Sequence, residues 1–278
     1  MPALQRQTAD LKNRGLRYSL NEKAIRSCYN PPVANRWRCT ITDSDPAATQ
    51  RSAARTAGIA VLLLLLAGVF AQIFVFMRLP AEEATNTAHN ILTHETLFRC
   101  GIASALVSAI FGLVEIWALY LLFKPFHEGL ALLSLVFHFA GSVLFMATMH
   151  DNFLALHLLR ADGSRSPFAV SQFQTIAQLL LTHDDGLRTS LIFSSCGGAI
   201  FAWLFFQSRY IPRLISGYGI FANAFVLVSC LSLCIAPGTS TIFFPWFPAA
   251  SFLYMLSLAL WLTVKGAAVY SRSVEVIA

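Results

Sequence analysis

Charge is scarce in this chain: only 12% of its 278 residues are Asp, Glu, Lys or Arg, against roughly 25% in an ordinary soluble domain. That shortage, with 56% hydrophobic residues, makes water the wrong solvent for most of the sequence. The six cysteines (Cys28, Cys39, Cys100, Cys196, Cys230 and Cys234) include no C-x-x-C pair, which excludes the common zinc and redox spacings. Cys28 and Cys39 fall in a segment expected to face a reducing compartment, and Cys in an apolar helix behaves as a small hydrophobe. A disulfide framework is therefore not expected. No P-loop, nucleophile elbow, dinucleotide-binding glycine fingerprint or H-E-x-x-H occurs, so nothing supports nucleotide coupling or a familiar hydrolase. The net charge of +6 is not gathered on a folded basic module with stacking aromatics, and no nucleic-acid partner is expected.

What is present is a set of long apolar runs. A bilayer core of about 30 Å takes about 20 helical residues, and six segments have that length: 57–77, 101–123, 129–149, 189–206, 214–236 and 246–264. They lack the two-residue alternation of a membrane barrel, and only closed hydrogen bonding survives in lipid. The expected fold is thus all-α, a polytopic membrane protein of six transmembrane helices, with the lipid bilayer as its main partner. Fifty-six residues precede the first run and no small-residue cleavage site follows it, so it reads as an uncleaved anchor rather than a signal peptide.

Lys and Arg favour the cytoplasmic side. With both termini placed there, 15 of the 20 basic residues are cytoplasmic, and only Arg78, Arg99, Arg160, Arg165 and Arg188 are on the other face. The domain organisation expected is a polar basic tail (1–56), a six-span domain (57–266) and a short cytoplasmic tail (267–278). Coil signals at Asn30-Pro31-Pro32 and Asp43-Ser44-Asp45-Pro46 point to disorder in the first tail. Two outer loops carry helix signals of their own. Ser166-Pro167 is a helix start, followed by Phe173, Ile176, Ala177 and Leu180 at helical spacing, the pattern of a helix lying on the membrane surface. Pro80 with Glu82 and Glu83 opens a similar short helix.

The region from Arg55 to Gly266 resembles the bacterial integral membrane proteins of domain of unknown function 4386. The resemblance lies in Arg55-Thr56-Ala57-Gly58 at the first span, Glu95-Thr96-Leu97-Phe98-Arg99 at the second, Tyr210-Ile211-Pro212-Arg213 before the fifth, and Leu260-Trp261-Leu262-Thr263-Val264-Lys265-Gly266 at the end. It implies a bacterial inner (cytoplasmic) membrane setting and no catalytic residues.

Charged groups inside a bilayer are costly and mark candidate sites. Glu115 is the one acid well inside a span. It stands eight residues before Phe123, about 12 Å along a regular helix, and His138 lies eight residues into the next, antiparallel run. The spacing places both at one depth, with Asn223 of the fifth span at a similar level. Such a layer can share a proton, or it can only fix helix register. A second candidate set is an outer polar rim of His94, Glu95, Arg99, His150, Asp151, His183, Asp184 and Arg188. Imidazoles and carboxylates together suit transition metals, but no ligand spacing is present, and His138 alone near mid-membrane leaves haem without a second ligand. No metal and no cofactor are assigned.

Within the rim, Thr93-His94-Glu95 with Arg99 and Thr182-His183-Asp184 with Arg188 repeat one pattern before the second and fourth spans. This is either a direct repeat or a shared need for helix-start acids and interfacial arginines. Small-residue stripes at Ser190, Ser194, Gly198, Ala202 and at Ser104, Ser108, Gly112 predict close helix contacts in lipid and leave a helix-mediated oligomer open. Three functions remain: binding or moving a small molecule or proton through the polar layer, a membrane-embedded metal or redox enzyme using the outer histidines, and a non-catalytic partner protein. The absence of catalytic motifs leans away from an enzyme.

Overall fold

The computed structural model describes residues 46–81, 83–160, 169–182, 185–235 and 246–268. The N-terminal tail before Pro46, Glu82, the Ser166-Pro167 helix start, His183 and Asp184 lie outside the described residues. All regular structure among the described residues is helical.

Helix α1 (Pro46–Ala71) is built from Ala and Leu, good helix formers, and runs straight into a π-helical turn (Gln72–Phe76). Helix α2 (Ala84–Thr93) starts after an extended Glu83. Thr87 Oγ1 holds the approach to it, accepting from the Ala81 N–H at 2.8 Å and donating to the Ala81 carbonyl at 3.1 Å. Helix α3 (Glu95–Leu159) spans 65 residues but is bent at His127, whose backbone is non-helical at φ −155° and ψ 84°. The cause is local. Pro125 has no N–H to donate, and His127 Nδ1 accepts from the Leu130 N–H at 3.2 Å, which caps the second arm as an N-cap side chain does. The arms, 95–126 and 128–159, fold back on each other: Glu95, at the start of α3, meets Arg160, just past its end, at 3.1 Å. Helices α4 (Val170–Thr182), α5 (Asp185–Ser208), α6 (Arg213–Ile235) and α7 (Phe247–Val264) complete the chain.

Among the described residues, the helices within Ala48–Phe76, Glu95–Leu159 and Arg213–Ile235 are long and apolar enough to cross a membrane, as is the stretch that holds α4 and α5, and Pro248–Val264 is a shorter apolar helix. Each of the six apolar runs read from the sequence is helical over its described residues, apart from the end residues Met77 and Trp246. Many large apolar side chains face outward, among them Leu66, Trp117, Phe139, Phe221, Val228 and Leu253. On a protein in water, such a continuous apolar exterior would be a liability; against lipid it is the appropriate surface.

The long helices close into a ring. Helix α1 packs on α3 and α7, α5 packs on α3 and α6, and α7 returns to α6. The small-residue faces lie in the seams. Ser104 Oγ donates to the Ala67 carbonyl at 2.9 Å, and a Cβ on Gly141 would overlap Ser194. Apolar clusters fill both ends of the ring. One gathers Phe123, Phe205, Ile211 and Leu262; the other gathers Val75, Ile91, Phe98 and Leu156. The shorter helices α2 and α4 pack on each other and on α3. In α4 the inward residues are Phe173 and Ala177, while Ile176 is exposed. Gln178 reaches the Ala81 carbonyl through Nε2 at 3.2 Å. The apolar stripe is therefore narrower than its spacing implied, because a glutamine that satisfies a loop carbonyl holds one of the inward positions.

Candidate functional site

A cavity of about 320 Å³ lies inside the ring, with lining residues from α1, both arms of α3, and α5, α6 and α7. Glu115, His138 and Asn223 all line it. The three groups that the sequence placed at one level thus face one space from three different helical segments. They do not touch in the way a proton-sharing pair would. Among the described residues no hydrogen bond or ion pair joins Glu115 to His138, and His138 Nδ1 is buried with no hydrogen-bond partner. Asn223 Nδ2 donates to the Gly219 carbonyl at 2.8 Å on its own helix.

Glycine makes this arrangement possible at two adjacent positions of α5. A Cβ on Gly197 would overlap His138 Nδ1, and one on Gly198 would overlap Asn223 Oδ1. Beside them Ser134 Oγ, fully buried, donates to the Gly197 carbonyl at 2.6 Å. This bond ties the second arm of α3 to α5 one turn from His138. The aromatic walls are Phe145, Phe201, Phe205 and Tyr254. Sequence reasoning did not select Tyr254, Ser142 or Ser251, all of which line the cavity. The available signal was a polar residue within an apolar run, and it is weak because hydroxyls satisfy themselves on their own helix.

A second cavity, of about 400 Å³, lies toward the Glu95 end and shares Phe145, Leu187 and Leu191 with the first. Its walls include Gln72 and Phe76 of the π-helical turn, together with Asp151, Asn152 and Arg188.

The candidate rim divides. Glu95 accepts from Arg99 Nε at 2.6 Å and pairs with Arg160 at 3.1 Å. The hydrogen bond from Arg99, aided by the charge of Arg160, holds its carboxyl below the usual carboxylate range. His94 ends α2 and precedes α3, and His150 is exposed. Asp151 and Arg188 line the second cavity. His183 and Asp184 lie outside the described residues. Among the described residues no three of His, Cys, Asp and Glu come together as a metal-holding group.

The opposite end is basic and aromatic. Tyr210 stacks on Phe123 with ring centres 5.8 Å apart. Gln50 Nε2 donates to the Leu122 carbonyl at 3.1 Å, and burial pushes the Tyr210 hydroxyl up from its ordinary value. Arg209, Arg213 and Lys265 surround a shallow hollow there, with Lys265 Nζ 4.4 Å from the Trp261 ring centre.

The family model for domain of unknown function 4386 (DUF4386) matches residues 56–266. The chain belongs to this family. The matched region takes in every residue lining either cavity in this DUF4386 protein, from Leu64 to Leu258. It also holds the Glu95 pairing and the basic end. No curated protein and no solved structure matches the chain. Family membership and the apolar helices together make it a helical membrane protein.

Proposed function

We propose that the chain crosses the bacterial cytoplasmic membrane six times with both ends in the cytoplasm, and that its ring of helices binds a small molecule, or passes one or a proton, through the central cavity. The six crossings are supported by the two arms of α3, each longer than the roughly 20 residues a crossing needs, and by the apolar helices α1, α5, α6 and α7. The orientation is supported by Lys124, Arg209, Arg213 and Lys265, which occupy the end marked by the Phe123–Tyr210 stack, because cytoplasmic loops collect Lys and Arg.

One observation carries the functional reading: Glu115, His138 and Asn223 converge on one cavity. A purely structural polar layer would be expected to pair its members, since unmet polar groups in a low-dielectric interior cost several kcal/mol. Here, among the described residues, Glu115 and His138 make no hydrogen bond to each other and no lysine or arginine stands against Glu115. Groups held apart around a space are instead arranged for something that enters it.

Thiol accessibility tests this directly. In a full-length variant whose six native cysteines are replaced, Ser142→Cys lines the cavity and Phe139→Cys faces outward. A small charged methanethiosulfonate should modify the first in membranes and leave the second untouched. If Ser142→Cys stays unreactive, the cavity is sealed and dry and the proposal fails.

A further inference from the structure

We propose that the central cavity is a site for a protonated amine carrying a compact apolar body, with Glu115 as its counter-ion. This rests on the reading of the cavity as a ligand site and names the chemical class of the ligand.

The first ground is charge. Glu115 is 8% exposed, and among the described residues neither lysine nor arginine lines the cavity. His138 is the one basic group there, and no ion pair joins it to Glu115 among the described residues. An anionic ligand would therefore enter a poorly solvated space that offers it no lysine or arginine. A cation would supply the partner that a buried carboxylate needs.

The second ground is hydrogen-bond polarity. Asn223 has already spent an amide hydrogen on the Gly219 carbonyl at 2.8 Å. Ser194 Oγ donates to the Ser190 carbonyl at 2.8 Å, and Ser195 Oγ to the Ile192 carbonyl at 3.0 Å. With those hydrogens used, each group keeps acceptor lone pairs. Together with the Glu115 oxygens they give that part of the wall acceptors that an N–H donor can satisfy. A ligand that supplies N–H donors satisfies them, and an ammonium group carries up to three such donors.

The third ground is the remaining surface. Phe145, Phe201, Phe205 and Tyr254 line the same space. Aromatic faces attract a cation within about 6 Å of the ring centre and pack an apolar body equally well. A carboxylate beside aromatic rings is the usual composition of an organic-ammonium site. The volume of about 320 Å³ leaves room for one aromatic or branched aliphatic amine.

The test uses the full-length protein in lipid nanodiscs at pH 7, with equilibrium dialysis of phenethylamine, which is protonated there. The comparison ligand is 2-phenylethanol, a neutral near-isostere, and uptake by empty nanodiscs is subtracted. The expected result is binding of phenethylamine at least tenfold tighter than 2-phenylethanol. In Glu115→Gln that preference should disappear while 2-phenylethanol binding is kept. Equal affinity for the two ligands in the unaltered protein overturns the amine assignment and leaves the cavity as a ligand site. An undiminished preference in Glu115→Gln removes Glu115 from the role. Binding of neither ligand overturns the amine assignment, and only if Ser142→Cys is also unreactive does the ligand-site reading fall with it.

Discussion

Glu95 and Arg160 stand at the two ends of the longest helical element yet lie 3.1 Å apart. The contact closes the hairpin formed at His127, and Arg99 joins it at 2.6 Å from the other Glu95 oxygen. One carboxylate thus binds a cation from its own turn and a cation from the far arm.

This pairing has a pH signature. Because the Arg99 hydrogen bond and the Arg160 charge hold the Glu95 carboxyl below its ordinary value of 4.5, its contribution is fully present above that value. It is lost as pH falls through the lower folded-state value. Melting of the purified protein should show a component that fades below about pH 4.5. Glu95→Gln should melt lower than the unaltered protein at pH 7 and lack that component. A Glu95→Gln variant with an unchanged acid limb would separate the pairing from stability.

Glycine substitutions should separate seam from surface. A Cβ on Gly58 would come within 2.8 Å of the Thr263 backbone nitrogen, whereas nothing lies within 4 Å of one on Gly217. Gly58→Ala should therefore cost about 1–3 kcal/mol as an overpacked contact. Gly217→Ala, in the interior of α6, should be neutral or gain about 0.5–1 kcal/mol from helix propensity. Thermal shifts in detergent compare the two variants, and equal shifts would contradict the close approach of α1 and α7.

Arg209 adopts φ 58°, the one non-glycine residue with positive φ among the described residues. A β-branched side chain is poorly accommodated in that region. Arg209→Val should lower stability by about 1–2 kcal/mol, while Arg209→Gly should be tolerated. Both variants lose the same charge, so the difference between their melting temperatures reports the backbone alone.

Topology is open to a reporter test. A phosphatase active only outside the cytoplasm should be active when fused after Arg160 and inactive when fused after Gly266. Activity at the second site would reverse the proposed orientation.

Much of this architecture was legible in the sequence because a lipid environment leaves few choices for a long apolar run. The six runs, the short helix after Glu83 and the one near Phe173 all follow from length, periodicity and turn signals. The level of Glu115, His138 and Asn223 followed from counting residues inward from the helix ends, and all three do reach one cavity. What counting could not supply was rotation about each helix axis. The runs are apolar on nearly every face, so periodicity does not tell the lipid side from the ring interior. Tyr254 was invisible for that reason, and so was the fact that Glu115 and His138 share a space without meeting. The inward turn of Gln178 was missed differently, since its partner is the loop carbonyl of Ala81, far away in sequence.

The contact between α7 and α1 also has a consequence for biosynthesis. In the proposed topology, a chain inserted from its N-terminus holds Glu115 and His138 in the bilayer well before the final helix exists to wall them in. Until Thr263 seats against Gly58, the chamber is an open trough with one side facing lipid. Loss of the last helix would therefore leave these polar groups against hydrocarbon, and quality control would meet an exposed acid rather than a slightly shorter protein.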